Sequence, residues 1–222
     1  GDFMLMALPN PDGTFTCTLF APFAGPNGLD GLQTREQTAT YFETHFPDVL
    51  PLIPDLLDQW ETNPVSSLVM TRCHPWHEGD TACLMGDAAH AIVPFYGQGM
   101  NSGMEDCSVL IDLLDGMEQP DQWGEVFQAY TDARKPAGDA IMELALRNYI
   151  EMRDKTGDPK FLLQKRIESK LATMYPGRWI PLYSQVTFSH TPYHHALEAG
   201  LRQDRIMAGI LSRPKIEETW DS

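Results

Sequence analysis

The stretch CLMGDAAHAIVPFYGQGMNSGMEDCSVL, Cys83 to Leu110, limits the folds open to this chain more than any other. A β-prone run, TACLMG (81–86), stops at Gly86-Asp87, and the chain then passes Pro94, Gly97 and Gly99. From there Met100, Met104, Cys107, Ile111 and Leu114 recur at alternating steps of four and three, which predicts a helix that ends near Gly116 and buries that face. A strand handing over to a helix through glycines requires layered packing of strands and helices. The turn chemistry adds a second constraint. Asp87 can accept hydrogen bonds from hydroxyls, while Gly97 and Gly99 let backbone amides approach a ligand without a Cβ in the way. The bare amides of a helix start favour negative charge. Gly-Asp alone reads better as a left-handed turn beside a surface carboxylate. The joined pattern G-D-A-A-H, P-x-x-G-Q-G-x-N points instead to a polyhydroxy chain at Asp87 and a partly anionic ring at the helix start.

Around this unit the sequence predicts a hairpin from FMLMAL (3–8) and TFTCTLF (14–20), turned at Asp12-Gly13, with one buried and one wetter face on the second strand. A helix over 34–46 follows, capped by Thr34, then a proline-punctuated segment, 47–64, with short helical turns. SSLVMTRC (66–73) reads as a strand, and helices fill the remainder, with breaks near Pro136, at 155–159 and at 175–177. The sum is an α/β chain with α+β elements, divided as 1–65, 66–135 and 136–222. Asn148 and Met152 lie four apart on a helix face with Ile141, Leu144 and Ala145. An amide in an apolar stripe needs a partner, since an unpaired buried polar group costs roughly 1–3 kcal/mol; a neighbouring carbonyl and a ligand both qualify.

Composition narrows the partners. A net charge of −15 argues against nucleic acid and anionic membrane surfaces. Four widely spaced cysteines without a C-x-x-C suit free thiols in a reducing compartment, so a soluble cytoplasmic protein is expected. Cys73, His74, His77 and Cys83 lack the spacing of a structural zinc site, and no metal is expected.

The segment GDAAHAIVPFYGQGMNSGMEDCSVL resembles the second flavin-binding motif of the FAD-dependent aromatic hydroxylases, the class A flavoprotein monooxygenases. FMLMALPNPDGTFTCTLFAPF, FPDVLPLIPDLL, NYIEMR and IPLYSQVTFS resemble further segments of the branch acting on kynurenine. The resemblance implies part of an FAD/NAD(P)-binding Rossmann-like fold with a substrate-domain β-sheet and a C-terminal helical region over the substrate. It implies FAD held by Asp87 and by the amides of Gly99, Met100 and Asn101. Pro94, Phe95, Tyr96 and Gln98 would wall flavin from substrate, and Asn148, Met152 and Tyr183 would contact a kynurenine-like aromatic amino acid. NADPH would reduce the flavin and O2 would react through a C4a-hydroperoxyflavin, so the chemistry is the cofactor's and no catalytic side chain is assigned.

One departure from the family is large. The G-x-G-x-x-G fingerprint for the ADP part of FAD does not occur in the 222 residues, nor do the Arg and Tyr that the family's N-terminal half supplies to the substrate carboxylate. The expectation is a C-terminal part that works with an N-terminal dinucleotide-binding half present as another chain. Two other readings stay open: a hydroxylase for another ring, of the hydroxybenzoate or salicylate type, and a non-catalytic interaction domain.

Overall fold

A computed structural model describes residues 2–117, 119 and 121–220. The chain divides into two compact units, Gly1–Ser67 and Leu68–Ser222.

In the first unit β1 (Met4–Pro9) and β2 (Phe15–Phe20) form an antiparallel hairpin, with Met4 opposite Phe20 and Pro9 opposite Phe15. The turn works because Gly13 takes φ 83° and Asp12 Oδ1 accepts from the Thr14 amide at 3.0 Å. The expected alternation on β2 does not hold. Phe15 and Cys17 are exposed, and only Leu19 and Phe20 are half-buried. A lone two-stranded ribbon has too little neighbouring surface to cover a whole face. Helix α1 (Arg35–His45) starts as expected at Thr34, where a capping box pairs Thr34 with Gln37. Its Tyr41 and Phe42 form a core with Leu56 of α2 (Leu56–Thr62), against which Leu5 and Leu19 pack. Arg35 holds α2 through Asp58 at 2.6 Å and Glu61 at 3.1 Å.

Residues 66–73, at the end of the first unit and the start of the second, form no strand, contrary to the sequence expectation. β-prone side chains need a neighbouring strand to satisfy the backbone. Here the Thr71 amide reaches only the Ala91 carbonyl, at 3.0 Å, and Val69 stays exposed. The strand expected over 81–86 contracts to β4 (Ala82–Cys83), paired with β3 (His77–Glu78).

Helices dominate the rest: α3 (Asp87–His90), α4 (Gly99–Asp115), α5 (Trp123–Ile150), α6 (Pro159–Met174), α7 (Leu182–Thr187), α8 (Tyr193–Leu211) and α9 (Ile216–Thr219). The break expected at Pro136 is absent, and α5 runs through it. Pro136 and Asp132 are both exposed, so the carbonyl that loses its amide partner lies on the solvent side. The boundary expected at 135/136 therefore falls inside one helix. A π-helical turn, Glu151–Lys155, ends α5 near the expected break at 155–159. Tyr130, Ile141, Leu144 and Ala145 make α5 the buried axis of the unit, and Leu163, Ile167, Trp179 and Met207 form a second cluster between α6 and α8.

Candidate functional site

Gly86 takes φ 54° and ψ −137°, a conformation open to glycine, and so swings the chain from β4 into α3. Asp87 opens α3 with its carboxylate exposed. A Cβ built on Gly103 of α4 would lie 3.6 Å from Gly86 Cα, so the turn lies against the helix backbone with no side chain between.

The face that α4 buries is not the expected one. Met100, Met104, Cys107 and Ile111 are exposed, while Ser102 and Asp106 are completely buried and Val109, Leu110 and Leu113 partly so. The physical reason is a cluster of donors waiting for Asp106. Its carboxylate accepts from the Gly86 amide at 2.9 Å, from His90 Nε2 at 2.6 Å and from Arg134 Nε at 2.7 Å. Arg134, itself buried, also reaches the Ser102 carbonyl at 3.3 Å and Glu105 at 2.8 Å. Burial pushes the Asp106 carboxyl up, but the hydrogen bonds from His90, Arg134 and Gly86 outweigh it and hold it below the usual carboxylate range. Sequence reasoning missed this group. Its one signal was a helical Asp with no opposite charge three or four residues away.

Helix α4 begins as expected, at Gly99, preceded by Gly97 in the left-handed region at φ 65°. The side chain of its cap residue Gln98 accepts from no backbone amide of the first turn, so the amides of Gly99, Met100 and Asn101 carry no side-chain cap. Gln98 is buried instead, with its Oε1 accepting from Tyr193 Oη at 3.0 Å and Asn101 Nδ2 at 3.2 Å. The amide-bearing turn is thereby fastened to α8.

Tyr96, two residues before Gln98, lines a cavity of about 600 Å³, within the usual size range of small-molecule sites. Tyr96, Asn148, Met152 and Tyr183 all line it, together with Arg147 and Glu151. Tyr96 and Tyr183 stack with ring centroids 5.5 Å apart. Burial, then the nearby Glu151 carboxylate, pushes the Tyr96 phenol up to about 12. Asn148 Nδ2 donates to the Phe95 carbonyl at 2.7 Å, so the carbonyl partner open to it in the sequence is the one it takes. Pro94, Phe95 and Gln98 lie outside the lining: Pro94 is exposed, and Phe95 stacks on Tyr149 at 4.5 Å.

The residues present fit a flavin-like group in two respects. Exposed Asp87 offers acceptors to hydroxyls, and the uncapped first turn of α4 offers amides to negative charge. Among the described residues no group of three His, Cys, Asp or Glu could hold a metal ion, and no helix is long and apolar enough to cross a membrane.

The profile of the FAD binding domain family matches residues 51–145. Kynurenine 3-monooxygenase of Flavobacterium johnsoniae is 49% identical over all 222 residues of this chain, which cover 49% of that protein. The same enzyme of Christiangramia forsetii is 50% identical over the same span, and that of Dictyostelium discoideum is 44% identical over 217 residues, 47% of its length. The chain spans about half the length of the curated relatives it matches.

Proposed function

We propose that this chain is the flavin- and substrate-facing part of an FAD-dependent aromatic hydroxylase of the kynurenine 3-monooxygenase kind. The observation that carries the reading is one juxtaposition. The Gly86–Asp87 turn lies against α4, and the turn opening α4 leads straight from Tyr96, which lines the cavity holding Asn148, Met152 and Tyr183.

In this reading Asp87 holds the ribityl hydroxyls of FAD, and the amides of Gly99, Met100 and Asn101 stabilise negative charge on the reduced ring. FAD bound there and reduced by NADPH would activate O2, one oxygen atom of which hydroxylates the aromatic ring while the other leaves as water, converting L-kynurenine to 3-hydroxykynurenine. The chain's residues bind, orient and exclude water. Tyr96 and Met152 offer apolar surface to the aromatic ring, and Tyr183 offers a phenol to the amino-acid end. Asn148 gives its amide hydrogens to the Phe95 carbonyl and to Met152 Sδ, which leaves its carbonyl oxygen available to the ligand. Oriented contact of this kind lowers the barrier without a protein acid or base. The ADP part of FAD and the substrate carboxylate require residues beyond these 222, supplied by an N-terminal dinucleotide-binding half. Relatives about twice as long as this chain support that division.

The test is NADPH oxidation by the FAD-loaded, full-length protein, with kynurenine compared against hydroxybenzoates. The expected result is stimulation by kynurenine and a product heavier by one oxygen atom. Stimulation by hydroxybenzoate alone would replace the substrate, and a protein that takes up no FAD would end the flavin reading.

A further inference from the structure

We infer that Asp106 is a positioning residue for the flavin, setting the Gly86–Asp87 turn and the first amides of α4 in one fixed relation. The inference rests on the flavin reading above and adds to it a residue that would not touch the cofactor. Two chain segments, sixteen residues apart at Gly86 and Ser102, must present groups to one ligand. A tether between them has to be short and rigid. Asp106 supplies it, because its carboxylate takes the amide of the residue immediately before Asp87 at 2.9 Å while standing on the helix whose amides start at Gly99. Five to seven residues of α-helix separate Asp106 from those amides, roughly 7–10 Å of rigid rise. Gly103, one turn before Asp106, lets the two backbones close on each other.

A carboxylate is the group that fits. It is acceptor-only, with two oxygens for three donors: Gly86 N–H and His90 Nε2–H on Oδ2, Arg134 Nε–H on Oδ1. An amide of the same shape would turn an NH2 towards one of those donors and leave it orphaned. A buried ion pair is also a weak way to gain stability, since apolar side chains of similar volume often do as well. A positional task accounts for placing the charge in the core. His90 and Arg134 hold the carboxylate from both sides, His90 through α3 and Arg134 through α5.

The experiment compares full-length wild-type protein with Asp106→Asn, reading FAD affinity, the flavin midpoint potential and the flavin circular dichroism well below the melting temperature. The expected result is an FAD dissociation constant raised on the order of 10–100-fold, with a shifted potential and an altered flavin spectrum, as for a lost hydrogen bond to a charged group. A lower melting temperature with unchanged FAD affinity and potential would show a purely structural residue and overturn the proposal. If Asp106→Asn does not fold, Asp106→Glu carries the test, because it keeps the charge and moves the carboxylate by one methylene. Loss of FAD affinity in a folded Glu variant supports positioning; wild-type affinity and potential overturn it. A wild-type protein that never takes up FAD defeats the flavin reading itself, whatever the variants do.

Discussion

Tyr193 sends its hydroxyl to Gln98 Oε1 at 3.0 Å, inside the protein and 95 residues away in the chain. Gln98 keeps a second donor to the same oxygen, Asn101, so deleting the hydroxyl leaves no orphaned acceptor. Tyr193→Phe should therefore cost only about 1 kcal/mol, the ordinary net value of a hydrogen bond, read as a small drop in the denaturant midpoint. A loss beyond about 3 kcal/mol would mean that the contact carries more than this geometry gives it. Buried phenols also set the alkaline limit. Tyr96 is pushed up to about 12, and burial raises Tyr130 and Tyr193 as well. The folded state then holds protons that the unfolded chain releases near pH 10, so stability is full below about pH 10 and falls as pH rises through the folded values. On the acid side the sign reverses. Asp106 is held below its usual range, so its contribution is present above about pH 4 and is lost as pH falls. Melting temperature scanned from pH 3 to 11 checks both slopes, and a Tyr96→Phe variant should flatten the alkaline one. At this scale the sequence was legible where chemistry is local: Thr34 caps α1, and Gly86, Gly97 and Gly99 shape the turns they were expected to shape. Asn148 was legible as an amide in need of a partner. Asp106 was not, because its three donors come from residues 86, 90 and 134, which only the fold brings together.

Whole elements show where periodicity misleads. The spacing of Met100, Met104, Cys107 and Ile111 identifies a helix correctly and names the wrong inward face. Apolar periodicity locates a stripe but is silent on which neighbour covers it, and the Asp106 network rotates α4 the other way. Residues 66–73 fail as a strand for a related reason: β propensity expresses itself only beside a partner strand. Pro136 fails as a breaker because the carbonyl it leaves without a donor, that of Asp132, lies on the solvent side. Close approach between elements is similarly invisible beforehand. Gly138 sits in the middle of α5, where alanine would ordinarily gain about 1 kcal/mol of helix propensity. A Cβ there would stand 2.9 Å from the Trp76 ring and 3.2 Å from the His90 ring. Neither ring is free to retreat, since Trp76 and His90 are both buried. Gly138→Ala should accordingly destabilise by roughly 1–3 kcal/mol, the usual range for overpacking. Gly200→Ala is the control. Its Cβ would meet Leu182 Cδ2 at 2.7 Å, but a leucine methyl can swing aside, so the loss should be smaller. Equal melting temperatures for the two variants would contradict this ranking.

For the molecule entire, the exposed face of α4 and the net charge of −15 pull in opposite directions. Met100 and Met104 are 74% and 63% exposed, and Ile111 is 56% exposed, a contiguous apolar stripe of the kind that marks an interaction surface. Repulsion between like-charged copies should keep such stripes apart at low salt. It reaches only about a Debye length, ~10 Å at 0.1 M salt and ~3 Å at 1 M, so added salt removes the barrier and leaves the apolar contact. The 222-residue chain by itself should then bind a hydrophobic dye at low ionic strength and self-associate progressively as sodium chloride is raised. Light scattering after size exclusion reads the association directly. Replacing Met104 and Ile111 together by lysine should suppress both dye binding and association. It should do so without lowering the melting temperature, because neither side chain is buried and neither belongs to the Asp106 network. A chain that stays monomeric and dye-free in high salt would show that the stripe is inert. The same double variant, placed in the full-length protein, separates two uses of the face. If the proposed dinucleotide-binding half packs on α4, FAD loading should fall along with association; if loading is untouched, that half packs elsewhere and the stripe serves contact between copies alone.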